Sequence, residues 1–271
     1  MRFQNWPAVP TVFRRFPATS RASAIFRPPA ASRRVARWPS RNVPRKFPNW
    51  SRSRPGDGSD VRFGNKIMFA TSKQIHAGEK ELQDRAEFFW CDSNLVLVIA
   101  DGAGGMSGGA EAAQFLVEGV KKRIGSTSMN TDGLNELLTV LDREMVAIGA
   151  FGETTGVVVV LSDRGVFGAS VGDSGAFIFS KTGLENLTAN QIRKPFLGSG
   201  RAIPIPFTRG RLNGTLLVAT DGLLKYTSLE KIAATILAAD FDGAANKLVE
   251  LVRYPSGALP DDISILLARQ L

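Results

Sequence analysis

The 271-residue sequence has a single cysteine, Cys91, so no internal disulfide can form. Nothing marks an oxidising compartment, and the expectation is a cytoplasmic setting. Long hydrophobic runs are also missing. The longest apolar stretches reach about five to seven residues, far short of a membrane span. Acidic residues are absent from residues 1–56, which carry thirteen Lys and Arg. Residues 61–271 hold 21 basic and 23 acidic side chains, so the formal charge of +9 comes from the N-terminal segment. A body near −2 does not look like a binder of nucleic-acid backbone.

Nine prolines fall in residues 1–60, with runs such as Arg33-Arg34 and Arg45-Lys46. Prolines at this density remove backbone donors and block helices, so this segment reads as a disordered basic tail. Three explanations fit it. One is an organellar transit peptide, Arg- and Ser-rich and free of acids. Another is a tail that touches nucleic acid or acidic lipid. The third is a gene start placed too early, with Met68 as the true beginning.

From Val61 the pattern turns globular, giving one domain over residues 61–271. Strands are expected at Lys66–Ser72, Ala86–Trp90, Leu95–Ala100, Gly156–Leu161, Val166–Val171, Ala176–Ser180, Leu216–Ala219 and Ile263–Ala268. Helices are expected at Gly109–Ile124, over Leu134 to Ile148 with Asp132 as N-cap, at Ser228–Ala238 and at Gly243–Val252. Residues 192–212, with three prolines and several glycines, read as irregular. Strands grouped in hairpins and helices in pairs predict an α+β domain with mainly antiparallel sheets.

The chemistry lies in aspartates placed where strands stop. Asp101 follows Leu95–Ala100, Asp221 follows Leu216–Thr220, Asp261 and Asp262 lead into Ile263–Leu267, and Asp84 precedes a strand. A carboxylate at the end of a buried strand is costly unless paired or metal-bound. Oxygen ligands of this kind suit hard divalent cations. The glycines of Asp101-Gly102-Ala103-Gly104-Gly105-Met106-Ser107 do not fit a dinucleotide loop, because Ser107 stands where a third glycine is needed. There is no P-loop either. A metal site explains Gly102 better, since a backbone without Cβ lets its carbonyl approach a cation. Asp173, in Gly172-Asp173-Ser174, reads as a turn residue.

The order Gln83-Asp84, Asp101-Gly102-Ala103-Gly104-Gly105, Gly172-Asp173-Ser174, Ala219-Thr220-Asp221-Gly222 and Asp261-Asp262-Ile263-Ser264 resembles the PP2C (PPM) family of Mg/Mn-dependent protein serine/threonine phosphatases. The resemblance spans roughly residues 66–271. It implies a four-layer α-β-β-α sandwich and two bound Mn2+ or Mg2+ ions. It further implies that Asp101 bridges the two ions and the Gly102 carbonyl completes one coordination sphere. Asp221 and Asp261 would hold the other ion, and Asp84 would hydrogen-bond metal-bound water. Asp84, Asp101 and Asp221 would then carry catalysis on phosphoserine or phosphothreonine proteins.

Several positions depart from the family pattern. Glu79 stands where an Arg usually grips phosphate, which makes the adjacent Lys80 the candidate substrate-binding residue. Ala103 replaces a histidine found in some members, and Gly175 replaces a common Arg. A third ion would need Glu153 or another ligand, because no Asp lies between Met145 and Gly152. His76, the only histidine, reads as a strand or surface residue. Residues 191–212, rich in Arg and Lys, are expected to form a basic flap beside the site. These departures leave an alternative open: a catalytically weak relative that binds phosphoprotein as a sensor. Oligomeric state leaves no trace in the sequence.

Overall fold

The computed structural model describes residues 68–78, 81–103, 108–149 and 152–271. The expected tail of residues 1–60 lies outside these, as do Glu79 and Lys80.

Two of the strands are apolar at every position past the first, and the fold shows why. In Asn94–Ala100, residues Leu95, Leu97 and Ile99 serve one core while Val96, Val98 and Ala100 serve another. In Gly156–Leu161, Val157, Val159 and Leu161 share the first core, and Val158 and Val160 the second. A strand with both faces buried loses the polar alternation of a half-exposed one.

In chain order the strands are β1 (Phe69–His76), β2 (Arg85–Cys91), β3 (Asn94–Ala100), β4 (Gly102–Ala103), β5 (Glu153–Thr154) and β6 (Gly156–Leu161). They continue with β7 (Val166–Val171), β8 (Gly175–Ser180), β9 (Gly183–Asn186), β10 (Ile205–Arg209), β11 (Thr215–Ala219) and β12 (Ile263–Gln270). The helices are α1 (Gly109–Arg123), α2 (Thr131–Ile148), α3 (Asp221–Leu224), α4 (Leu229–Ala238) and α5 (Phe241–Glu250). One antiparallel sheet has the order β1-β12-β11-β8-β9 and the other β10-β7-β6-β3-β2, with β4 and β5 as a separate pair.

The inner faces of the two sheets share one core, in which Leu97, Ile99 and Val159 meet Ile178, Leu216, Val218 and Leu266. Helices α1 and α2 cover the outer face of the second sheet through Leu116, Val120, Leu134, Leu138 and Leu141. Helices α4 and α5 cover the outer face of the first through Ile232, Ile236, Ala245 and Leu248, which pack on Phe179, Leu217 and Ile265. The architecture is the expected α-β-β-α sandwich. No described helix is long and apolar enough to cross a membrane.

Some local expectations are corrected. The N-cap of α2 is Asn130, whose Oδ1 accepts from the Gly133 amide at 2.9 Å; Asp132 sits one residue inside the helix. The stretch expected to be irregular contains β10, where Phe207 packs into the inner core despite Pro206. Proline is tolerated there because β10 is an edge strand. Helix α5 begins at Phe241, two residues earlier than expected. Helix α3, strand β9 and the β4–β5 pair are too short to leave a periodic signature.

Candidate metal centre

Strand register brings distant residues to one rim. Arg85 pairs with Ala100, Gly156 with Val171, Ala219 with both Gly175 and Ile265, and His76 with Ile263. The residues just beyond these ends, at 84, 101, 172–174, 220–221 and 261–262, therefore gather at the same end of the sandwich.

There the carboxylates of Asp101, Asp173 and Asp221 place oxygens within 4.8 Å of one another. Asp101 is set by its backbone. Its carbonyl accepts from the Thr155 amide and the Thr154 hydroxyl, both at 2.9 Å, and its amide donates to Thr155 Oγ1 at 3.1 Å. The Thr155 hydroxyl also hydrogen-bonds Ser174 Oγ at 2.8 Å, which ties the turn bearing Asp173 to the end of β3. Gly172 takes a positive φ of 103° in that turn, and a Cβ there would crowd Thr155. Asp221 is the first residue of α3, directly after β11. Gly222 must lack a side chain, because a Cβ would overlap the Asp262 carbonyl oxygen.

Asp84 is almost fully enclosed, with 1% of its surface exposed. Its Oδ2 accepts from the Thr220 hydroxyl at 2.8 Å, and Thr220 Oγ1 in turn accepts from the Ser264 amide at 2.9 Å. Its Oδ1 is buried with no hydrogen-bond partner. Burial raises the Asp84 carboxyl to about 7, with the Thr220 hydroxyl opposing and the charges of Asp262 and Asp221 adding. Burial likewise raises Asp101 to about 8, helped by Asp84, Asp221, Asp173 and Asp261. Asp221 is raised by burial and then by Asp173, against the nearby Lys225 ammonium. Three carboxyls held above their ordinary range by burial and mutual repulsion call for added positive charge.

Two cations meet part of that demand. Arg193 Nε donates to Asp173 Oδ2 at 2.9 Å, and Lys225 Nζ lies 3.4 Å from Asp221 Oδ2. Both side chains are largely in solvent, 70% and 54% exposed, so neither neutralises its partner as a buried pair would. The Asp101, Asp173 and Asp221 oxygens, with the orphaned Asp84 Oδ1 nearby, suit Mg2+ or Mn2+ by their chemistry.

The expected residues are placed unequally. Asp101 and Asp221 meet. Asp84 stands beside them, and Gly102 lies buried in β4 opposite Thr154 with its backbone packed against Gly109. Asp261 is exposed and outside the 4.8 Å group, although its charge reaches Asp101 and Asp221. Its neighbour Asp262 has a structural task. Its two oxygens accept from the amides of Gly78 (2.8 Å) and Gln83 (2.6 Å), which fastens the segment before Asp84. Glu153 is exposed and joins no acidic group among the described residues. His76 hydrogen-bonds Gln74 Oε1 at 2.9 Å and takes no part in the centre.

Asp173 is the residue for which the sequence suggested no role beyond that of a turn aspartate. It is a turn residue, and it is also the third carboxylate of the cluster. The available signal was its position, directly after the apolar strand Val166–Val171, as with Asp101 and Asp221.

No protein-family model matches the chain. In sequence it is 28% identical over 183 residues to a probable protein phosphatase 2C 80 of Arabidopsis thaliana, a match covering 61% of this chain. The match spans only 44% of that relative's length. Among solved structures, a bacterial serine phosphatase superposes with a TM-score of 0.65 at 20% identity, covering 73% of this chain and 96% of that one. The serine/threonine phosphatase Stp1 of Staphylococcus aureus gives 0.63 at 19%, with 78% and 98% covered. The catalytic domain of the phosphatase PstP, solved with two manganese ions, gives 0.63 at 16%, with 76% and 100% covered.

This chain has the PP2C fold. Nearly the whole length of each of those solved domains finds its counterpart here. In this PP2C fold the acidic rim is formed by the connections after β3, β7 and β11.

Proposed function

We propose that the domain is a metal-dependent protein serine/threonine phosphatase. The observation that carries the reading is the convergence of Asp101, Asp173 and Asp221, from three separate connections, to within 4.8 Å. Such a cluster is unfavourable by itself, as the raised carboxyls attest. The similarity to protein phosphatase 2C 80 supports the same reading.

In this reading Asp101, Asp173 and Asp221 would hold Mg2+ or Mn2+, with Asp261 and the Gly102 carbonyl as further candidate ligands. The bound ions would supply a water made nucleophilic near neutral pH and neutralise charge on the phosphoryl oxygens. The chain's own part is to orient and to take up protons. Thr220 fixes Asp84 through Oδ2 and leaves Oδ1 free to accept a proton. The Thr154 hydroxyl, which donates to the Asp101 carbonyl, and the Thr155 hydroxyl, which accepts from the Asp101 amide, hold Asp101 in place, so the site is preorganised. Arg193 and Lys225, at the edge of the acidic group, would be freed from Asp173 and Asp221 if those carboxylates held an ion, and each would then have a charge for a phosphoryl oxygen, the role the sequence assigned to Lys80. The substrates are phosphoserine and phosphothreonine segments, and the setting is cytoplasmic.

The test is hydrolysis of an aryl phosphate and of phosphopeptides by the full chain with added Mn2+. EDTA should abolish turnover, and Asp101→Ala, Asp173→Asn and Asp221→Asn should each lower kcat by at least about a hundredfold. An Asp101→Ala protein with wild-type turnover refutes the assignment. Calorimetric Mn2+ binding with no turnover on any substrate favours the sensor alternative.

A further inference from the structure

Helix α2 buries a carboxylate that the metal centre does not use. Asp142 is 3% exposed, and no cation pairs with it in a described ion pair. Among the described residues its charge is met by backbone amides alone. Oδ1 accepts from Gly198 at 2.7 Å and from Gly200 at 3.0 Å, and Oδ2 accepts from Ala202 at 3.1 Å. Three N–H donors on one carboxylate are charge-assisted bonds, and they compensate a burial that would otherwise be costly. The loop is shaped for this grip. Gly198 and Gly200 both take positive φ, 98° and 72°, which turns their amides toward the helix without side-chain strain.

The gripped loop leads to the metal centre. Leu197, fully buried, forms a two-way bridge with Thr154: the Thr154 amide donates to the Leu197 carbonyl at 2.9 Å, and the Leu197 amide donates back at 3.0 Å. Thr154 in turn pairs with Gly102 across β4 and β5 and donates its hydroxyl to the Asp101 carbonyl at 2.9 Å. Three contacts thus link Asp142 to Asp101 and Gly102: Asp142 to the loop amides, Leu197 to Thr154, and Thr154 to Asp101 and Gly102. A loop lying over Thr154 without an anchor would leave those contacts dependent on Leu197 packing alone.

We propose that Asp142 is a positioning residue for the metal centre. By fixing residues 196–202 it sets Thr154, and through Thr154 it sets the backbone that presents Asp101 and Gly102. It touches neither ion nor substrate. This rests on the phosphatase reading only in taking the acidic cluster as a divalent-cation site.

The test is Mn2+ binding to the full chain by titration calorimetry, comparing wild type with Asp142→Asn, Asp142→Glu and Ile236→Ala. The asparagine retains one acceptor oxygen but sets an NH2 group against an amide donor. Ile236, on the buried face of α4, lies in the core on the far face of the other sheet and serves as a control for general destabilisation. Asp142→Asn should weaken Mn2+ binding by up to about tenfold, the lower end of what losing a group bonded directly to a metal ligand costs. At saturating Mn2+ the KM for an aryl phosphate should change far less. Ile236→Ala should lower Tm and leave Mn2+ affinity at the wild-type value. Asp142→Glu keeps both acceptors and should recover part of the affinity, and it serves as the test if the asparagine variant does not fold.

Equal Mn2+ affinity in wild type and folded Asp142 variants, with only Tm lowered, overturns the inference and leaves Asp142 as a plain loop anchor. A wild type that binds Mn2+ but turns over no substrate sinks the phosphatase reading while leaving this one to be decided by the same titrations. A wild type that binds no Mn2+ overturns both.

Discussion

Raising the pH of the metal-free protein should destabilise it, and a divalent cation should cancel the loss. The cause is the pair of enclosed carboxyls, with Asp84 at about 7 and Asp101 at about 8 against an ordinary 3.8. An acid held above its unfolded value favours the fold fully only at pH below that unfolded value. Its contribution then falls as pH rises and levels off once the folded carboxyl has ionised. The window for Asp84 therefore closes at about pH 7, and that for Asp101 at about pH 8.

Within such a window each pH unit costs about 1.4 kcal/mol per group. Between pH 6 and pH 8.5, Asp84 contributes roughly one unit and Asp101 roughly two, an upper bound of about 4 kcal/mol. The groups repel each other and share part of that loss, so roughly 2–3 kcal/mol is expected. For a domain of this size the melting temperature should fall by roughly 5–10 °C.

The assay is thermal unfolding in EDTA at the two pH values, repeated with millimolar Mg2+. In Mg2+ the drop should shrink to a few degrees, because an ion that binds only the ionised, folded cluster stabilises it by mass action. The double variant Asp84→Asn, Asp101→Asn should also lose most of the drop. A melting temperature in EDTA that is the same at both pH values, or a drop that persists in the double variant, refutes the reasoning.

Removing either exposed cation should separate substrate affinity from turnover. Arg193→Ala and Lys225→Ala should each raise KM for a phosphopeptide by roughly three- to tenfold while kcat changes less than about twofold, with the KM difference narrowing in high salt. Mn2+ affinity should tighten in both, since the competing cation is gone. Gly222→Ala should shift α3 away from Asp262, lowering stability by about 2 kcal/mol or more and displacing Asp221. Thermal unfolding and Mn2+ titration measure these two effects, and an unchanged titration would show that α3 tolerates the methyl group.

The strands and helices were legible in the sequence because their signal is local, whereas their order in four layers came from the resemblance. Strands β3, β6, β11 and β12 announce themselves as apolar runs, and α2 shows its buried face as Leu134, Leu137, Leu138, Leu141 and Met145. Strand β10 was hidden by Pro206 and by charged neighbours that its edge position permits. The N-cap of α2 was misplaced because Asn130 and Asp132 are both competent caps. Only the backbone extension at Asn130 decides between them.

The sequence by itself determined where the acidic residues sit along the chain: each follows or precedes an apolar strand, since a buried strand must end before a charge can reach the rim. It could not rank them. Asp173 joins Asp101 and Asp221, and Asp261 stays outside their group, because strand register and the turn at Gly172 decide which loops converge. Asp142 follows no strand and carries no signal of this kind within the amphipathic helix α2. Its three amide partners lie 56 to 60 residues away, and only folding brings them to it. Side-chain type and local pattern are encoded in neighbouring residues, whereas a site's electrostatics depend on distances between segments that meet only when the sheets close over one another.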